Sequence, residues 1–222
     1  MVNIIAATEV ICISLLLRRF LNLRDEQKRR ITNFLCLTLL IFNLLKYIYK
    51  SLMLARLSIP VEFSAIAYFA VPVIILFRIS FLRVWAVYSS LLAGSGYFFV
   101  FSLFGDKIYE NYSADKIVSA LFCHGILLFI GLSQISLKRF SNYSGWVLAL
   151  GLCFCVFHAF NMSSIAGSLR GVFMYELIFG FAAVDLFGKM ILPFYYLLIF
   201  LIFSLSLSVF YKLNNFFAKN NP

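Results

Sequence analysis

The sequence predicts an all-α membrane protein: a polytopic bundle of about seven transmembrane helices, with the N-terminus outside and the C-terminus in the cytoplasm. Its 222 residues are 63% hydrophobic and only 13% charged. A water-soluble domain of this size could not cover so much apolar surface with so few charges. Apolar stretches also recur at the length of a spanning helix, about 20 residues. Lysine and arginine concentrate in alternate connections, which is the pattern that orients membrane proteins.

Seven apolar stretches are long enough to be spans, and we predict a single integral membrane domain over residues 1–222 because no linker or internal repeat interrupts them. The predicted helices are about 2–18, 31–53, 59–77, 82–104, 116–137, 143–162 and 190–211. The first carries Glu9 and is followed, not preceded, by a basic run, so we interpret it as a mature helix instead of a signal peptide. The stretch 163–189 is punctuated by glycine and charge, and it predicts an irregular outer loop with an interfacial or partly re-entrant helix.

The distribution of basic residues predicts the orientation. The connection 18–30, RRFLNLRDEQKRR, holds six basic residues, and Arg78, Arg83, Lys138 and Arg139 mark the third and fifth connections. The alternate connections are poorer in positive charge. With seven spans, the basic set lies in the cytoplasm and the N-terminus outside. The net charge of +10 is then a topology signal with some affinity for anionic lipid, and nucleic acid is not an expected partner.

Several polar residues interrupt the predicted helices, and all of them fall toward the predicted outer side. They are Glu9, Asn43, Lys46, Glu62, Ser64, His124, His158 and Asn161. Ionisable groups are costly in lipid and normally face a bundle interior or an aqueous cavity. Their common depth predicts a polar cavity open to the outer side, in which Lys46, His124 or His158 is the partner of Glu62.

Simpler readings of the same residues stay open. Glu62 can meet water at the interface, and Lys46 can snorkel to the surface. Either histidine can serve only as a hydrogen-bonding group between helices. The two histidines and Glu62 lack the helical spacing of a metal site, and the five cysteines show no zinc or disulfide pattern. We therefore predict no cofactor and no metal.

Several motifs resemble a known family in their order along the chain. The segment 59–72, IPVEFSAIAYFAVP, resembles the L-P-L-H-L-C motif of the YwaF-like integral membrane proteins of bacteria. NLLK (43–46), CHGILLFIGL (123–132), HAFN (158–161) and VDLFGKMILPFYYLLIF (184–200) resemble further elements of that family, and Glu9 stands where the family often has a histidine. The resemblance implies a location in the bacterial cytoplasmic membrane.

The YwaF-like family is related to eukaryotic multi-pass enzymes that acylate lyso-ether phospholipids, so the resemblance implies phospholipid as a partner. It places Ser64 at the position of the acyl-accepting cysteine and Glu62 at the position of the motif histidine, while His124 matches the other histidine. The candidate catalytic residues are therefore Ser64, His124 and Glu62. Residues two positions apart on a helix lie about 200° apart around its axis, however, so Glu62 and Ser64 would point to nearly opposite faces.

Three functions remain in view. The first is a non-catalytic lipid-binding or structural subunit of a membrane complex, which the loss of the nucleophilic thiol favours. The second is a phospholipid acyltransferase or acyl hydrolase that uses Ser64 with His124. The third is a small-solute transporter, because buried ionisable groups also suit transport. The expected partners are phospholipid and other membrane-protein subunits.

Overall fold

The computed structural model describes the backbone of residues 2–55, 57–108, 113–141, 144–166 and 191–220; the side chains of 159–166, of 191–200 and of a few isolated positions fall outside that description. The described residues form seven α-helices and no strands, which confirms the all-α class. The helices are α1 (Val2–Leu21), α2 (Asp25–Met53), α3 (Phe63–Leu76), α4 (Arg83–Ile108), α5 (Ala114–Leu137), α6 (Gly145–Ala166) and α7 (Ile191–Asn220).

Three of the described helices are long and apolar enough to cross a membrane: α2, α4 over Arg83–Leu103, and α5. Helix α3 is a shorter apolar helix of 14 residues, or about 21 Å, and a bilayer core is about 30 Å thick. Helix α1 carries Glu9, Arg18 and Arg19 among its apolar residues. The structure thus has three candidate spans in its described part, compared with the seven predicted from the sequence.

The basic connection between the first two helices is mostly helical, in contrast to the loop expected over 18–30. Only residues 22–24 separate α1 from α2. Two features stabilise the start of helix α2 at Asp25. The Gln27 side chain accepts a hydrogen bond from the Arg24 backbone N–H at 3.1 Å, and the negative charges of Asp25 and Glu26 lie at the positive end of the helix dipole.

Helix α3 begins at Phe63, four residues later than the predicted span, and Glu62 is its N-cap residue. Pro60 lies in the non-helical segment before it, so the predicted helical start at residue 59 is wrong. The helix ends where the Ile79 N–H donates to the Ile74 carbonyl at 3.0 Å and Arg78 takes a positive φ of 56°. This backbone pattern usually employs glycine, because a side chain is disfavoured at positive φ.

The core lies between α3, α4 and α5, and its largest fully buried side chains include Tyr88, Leu127 and Ile130. Helices α4 and α5 run antiparallel and approach closely through glycine. Gly94 of α4 lies against Leu128 of α5, and Gly131 of α5 lies against Leu91 of α4. Small residues at such positions allow two helix backbones to meet, as in membrane helix pairs.

Helix α2 turns a continuous apolar surface away from the bundle. In the most apolar 18-residue stretch of α2, only 22% is buried, compared with 67% in that of α4 and 61% in that of α5. Large exposed hydrophobic side chains on this helix are Phe34, Leu37, Ile41, Leu44, Leu45, Ile48, Leu52 and Met53. An apolar surface of this extent is incompatible with water as the only solvent and suits contact with lipid.

The outer helices are attached by polar contacts at their ends. The Val2 N–H donates to Asp106 of α4 at 2.6 Å, which holds the start of α1 against the end of α4. The Asn214 side chain of α7 donates to the Phe140 carbonyl at 2.8 Å and accepts from the Phe140 N–H at 3.1 Å. Helix α6 continues to Ala166, so residues 163–166 are helical where a loop was predicted, and residues 167–189 of that prediction lie outside the described residues.

Candidate functional site

His124 lies at the meeting point of three helices. It is on α5, and its ring stacks on Tyr97 of α4 with centroids 3.8 Å apart and an angle of 9°. Tyr68 of α3 meets the same ring edge-on at 5.4 Å. We call these three residues the His124 cluster. All of them are buried, with exposed fractions of 6 to 8%, so the imidazole is enclosed by protein.

The hydrogen bonds of His124 occupy both ring nitrogens. Nδ1 lies 2.8 Å from the Ala120 carbonyl oxygen, which can only accept, so Nδ1 carries the proton. The Tyr68 hydroxyl lies 3.0 Å from Nε2 and 2.9 Å from Nδ1, so it contacts both ring nitrogens. Tyr68 of α3 and the Ala120 carbonyl of its own helix therefore fix the orientation of the imidazole.

Ser64 lies one helical turn before Tyr68 and is half-buried, with the Tyr68 phenol in reach of its hydroxyl. Tyr68 thus stands between Ser64 and the His124 imidazole. A serine nucleophile needs a base in hydrogen-bonding distance, about 2.6–3.2 Å. In this arrangement Tyr68, not Ser64, is the described hydrogen-bonding partner of the imidazole from α3, and the catalytic pairing of Ser64 with His124 stays a prediction.

Asn43 and Lys46 of α2 contact α5 directly beside His124. Asn43 is fully buried; its Nδ2 donates to the Leu39 carbonyl at 2.9 Å and lies 3.5 Å from the Cys123 sulfur. Lys46 is exposed and donates to the Ser119 hydroxyl at 3.1 Å. Two polar residues predicted to line one cavity are therefore bound to successive turns of α5.

Glu62 precedes α3 and has an exposed side chain. Desolvation by the surrounding residues raises the pKa of its carboxyl even though the side chain keeps contact with solvent, while the positive charges of Lys50 and Lys46 lower it. Lys46 donates one of its three ammonium hydrogens to Ser119, and its pairing with Glu62 stays a prediction. Tyr68 lies six residues after Glu62, which corresponds to about 9 Å along the axis of α3.

Glu9 and His158 join the same end of the bundle from α1 and α6. Gly125, next to His124, is covered by the Glu9 carboxylate so closely that a β-carbon there would overlap Oε1. His158 Nε2 lies 2.9 Å from the Pro60 carbonyl, two residues before Glu62. The side chain of Asn161 lies outside the described residues.

Residues 119–125 of α5 are the centre of this site. Glu9, Asn43, Lys46, Tyr68 and Tyr97 all contact this segment or His124 within it. His158 does not contact this segment; it contacts the Pro60 carbonyl, in the chain segment that precedes α3. The common cavity and the catalytic roles predicted for these residues stay predictions. Among the described residues, no group of three or more His, Cys, Asp or Glu side chains is placed to hold a metal ion.

Sequence reasoning missed Tyr68 and Tyr97, the two residues that define the surroundings of His124. A signal for Tyr68 was present, because it lies four residues after Ser64 in IPVEFSAIAYFAVP and shares its helix face. Tyr97 had no comparable signal, since a tyrosine in an apolar helix is most often a packing residue.

No family model, no curated protein and no solved structure matches this chain. The YwaF-like resemblance therefore rests on the sequence motifs alone, and the roles it implies for Ser64, Glu62 and His124 stay predictions.

Proposed function

We propose that this protein is a non-catalytic integral membrane protein, a lipid-binding or structural subunit of a membrane complex. The observation that carries the proposal is the His124 cluster, in which both imidazole nitrogens are committed to Tyr68 and Ala120. A polar group satisfied in this way between helices contributes to packing specificity and stability. The exposed apolar surface of α2 is available for lipid or for a helix of a partner subunit.

The proposal includes the location and the orientation predicted from the sequence. The protein belongs to the bacterial cytoplasmic membrane, with the N-terminus outside and the basic connections inside. The orientation is supported by basic residues that lie together at one end of the bundle: Lys28 and Arg29 near the start of α2, Arg78 after α3, and Arg83 at the start of α4. Seven spans require α1, α3, α6 and α7 to enter the bilayer beside the three long apolar helices.

The non-catalytic role predicts that no acyl group is transferred to Ser64. Purified protein incubated with phospholipid carrying a labelled acyl chain should show no covalent adduct by intact-mass spectrometry. Ser64→Ala should behave as the wild type in this assay. Cys123→Ala is the second variant to compare, because Cys123 is the thiol beside His124. An adduct that disappears in Ser64→Ala would overturn the proposal and favour the acyltransferase.

The orientation is tested by cysteine accessibility. Glu26→Cys and Glu110→Cys, each made in a background without the five native cysteines, should react with a membrane-impermeant maleimide from opposite sides of the membrane. The side chain of Glu26 is 72% exposed, so its reactivity is not limited by burial. We expect position 26 to be protected in intact cells and position 110 to be labelled. The reverse pattern would place the His124 cluster toward the cytoplasm.

A further inference from the structure

A basic cavity lies at the opposite end of the bundle from the His124 cluster. It has a volume of about 360 Å³ and is formed by the first turns of α2, the α3–α4 connection and the end of α5. Lys28, Arg29, Arg78 and Arg83 line it, against one carboxylate, Asp25. An excess of positive charge around a concave site attracts an anion. In the sequence, these basic residues indicated only the topology.

Two of the cations are held in place by the fold. The Lys28 side chain is only 13% exposed. Its ammonium forms a long ion pair, at 3.4 Å, with the Asp25 carboxylate, and the Asp25 side chain is 96% exposed. Such a pair with an exposed partner compensates little for the burial of an ammonium. Arg83 donates from Nε to the Gln134 Oε1 at 3.2 Å, and its Nη2 donates to the same oxygen. A guanidinium has five N–H donors, so Gln134 orients Arg83 and leaves donors for a ligand.

Thr32 gives an independent indication of a ligand. This residue lines the cavity, is 2% exposed, and its hydroxyl has no hydrogen-bond partner in the structure. A hydroxyl on a helix usually bonds the carbonyl one turn earlier. Leaving a buried hydroxyl unsatisfied is costly, so such groups are uncommon in folded proteins. A rotation about χ1 would bring this buried hydroxyl to the cavity wall, where a ligand oxygen would satisfy it.

Arg78 gives a second indication, through its backbone. It has a φ of 56° at the position after α3 where glycine is usual. Arginine here is less stable than glycine would be, because its β-carbon is crowded at positive φ. A strained residue that supplies charge to a cavity is typical of a binding site.

We propose that this cavity binds the phosphate group of an anionic lipid. Arginine and lysine together suit phosphate, since arginine offers paired donors and lysine a point charge. Phe77 and Phe81, on either side of Arg78, are 74% and 62% exposed, and exposed aromatic residues beside basic ones are typical of a membrane interface. Its volume accommodates a phosphate and a small polar headgroup. This site is distinct from the His124 cluster, so the proposal does not depend on the non-catalytic role.

The test uses the purified full-length chain in a neutral detergent and follows the midpoint of thermal unfolding as ligand is added. The probes are short-chain phosphatidylglycerol, short-chain phosphatidylcholine and inorganic phosphate. We expect phosphatidylglycerol to raise the midpoint more than phosphatidylcholine. Arg78→Gly should weaken the apparent affinity for phosphatidylglycerol about fivefold, as expected for one interfacial cation. The same variant should raise the midpoint without lipid, because glycine relieves the strained backbone.

The matched control is Arg30→Gln, which removes the same charge from an arginine of α2 that is paired with Glu26 outside the cavity. It should change the affinity by less than twofold. Thr32→Val removes only the unpartnered hydroxyl, and we expect it to fold normally and to bind phosphatidylglycerol about fivefold more weakly. Equal effects of Arg78→Gly and Arg30→Gln, unchanged binding by Thr32→Val, or equal shifts with phosphatidylcholine would overturn the proposal. A shift with inorganic phosphate but none with phosphatidylglycerol would refute lipid as the ligand.

Discussion

Replacing Gly94 by alanine should destabilise the protein by about 3 kcal/mol, because the added methyl group overpacks the α4–α5 interface. A β-carbon at this position would lie 2.7 Å from the Leu128 Cβ and 2.8 Å from the Leu128 Cα and backbone nitrogen. The backbone of α5 cannot rotate away as a flexible side chain can, so the two helices must separate. We expect a lower midpoint of thermal unfolding in detergent for Gly94→Ala than for the wild type.

Gly96→Ala is the matched control for this prediction. Gly96 is on the same helix two residues later, and a β-carbon there would meet nothing within 4 Å. Alanine is a better helix former than glycine by about 1 kcal/mol, so this variant should be as stable as the wild type or more stable. Equal loss of stability in the two variants would mean that helix α4 responds to any added methyl group, and that close contact with Leu128 is not the cause.

The second large effect is expected at the His124 cluster, where His124→Phe should cost about 2 kcal/mol. Phenylalanine keeps an aromatic ring that can stack on Tyr97, but it removes the ring nitrogens that the buried Tyr68 hydroxyl contacts. Tyr68→Phe should cost about 1 kcal/mol, because His124 then loses this hydrogen-bond partner. The double variant should be more stable than the sum of the single losses predicts, by about 1 kcal/mol, since both partners become apolar.

A second double-mutant cycle is the control for the first. Tyr88→Phe also removes the hydroxyl of a buried tyrosine, in this case on α4, where it contacts the Ser206 hydroxyl at 2.7 Å. Tyr88 is nine residues from Tyr97 along the helix, or about 14 Å. Its effect should therefore add to that of His124→Phe within about 0.5 kcal/mol. Additive losses in the Tyr68–His124 cycle as well would show that this hydrogen bond does not stabilise the fold.

The existence of the helices could be predicted from the sequence more securely than their ends. Apolar stretches of sufficient length indicated each described helix. The start of α2 was placed too late because Asp25, Glu26 and Gln27 look like part of a charged connection, although they satisfy the first turn of a helix. The start of α3 was placed too early because Pro60 suits a first turn equally well as a segment before it. Helix ends depend on single capping residues, which hydrophobic periodicity does not report.

The candidate site could be predicted only in part, and Ser64 and Lys46 illustrate the reason. Both were selected because polar groups are uncommon in apolar helices. Their partners come from elsewhere: Ser64 is separated from the imidazole by Tyr68, and Lys46 donates to Ser119. The basic cavity was missed for the same reason, because Thr32, Arg83 and Gln134 are at least 51 residues apart in all three pairings, and only packing joins them.

The sequence by itself determined the all-α class, the apolar character that suits a membrane, and the set of polar residues on which a site could be built. These properties follow from composition and from local hydrophobic patterns, which act along each helix independently of the others. The tertiary structure alone decided that Tyr68 and Tyr97 enclose His124, that Leu128 packs directly against Gly94, and that four cations surround one cavity. Those contacts depend on which helix faces meet, and that choice is made by close packing between residues far apart in the chain.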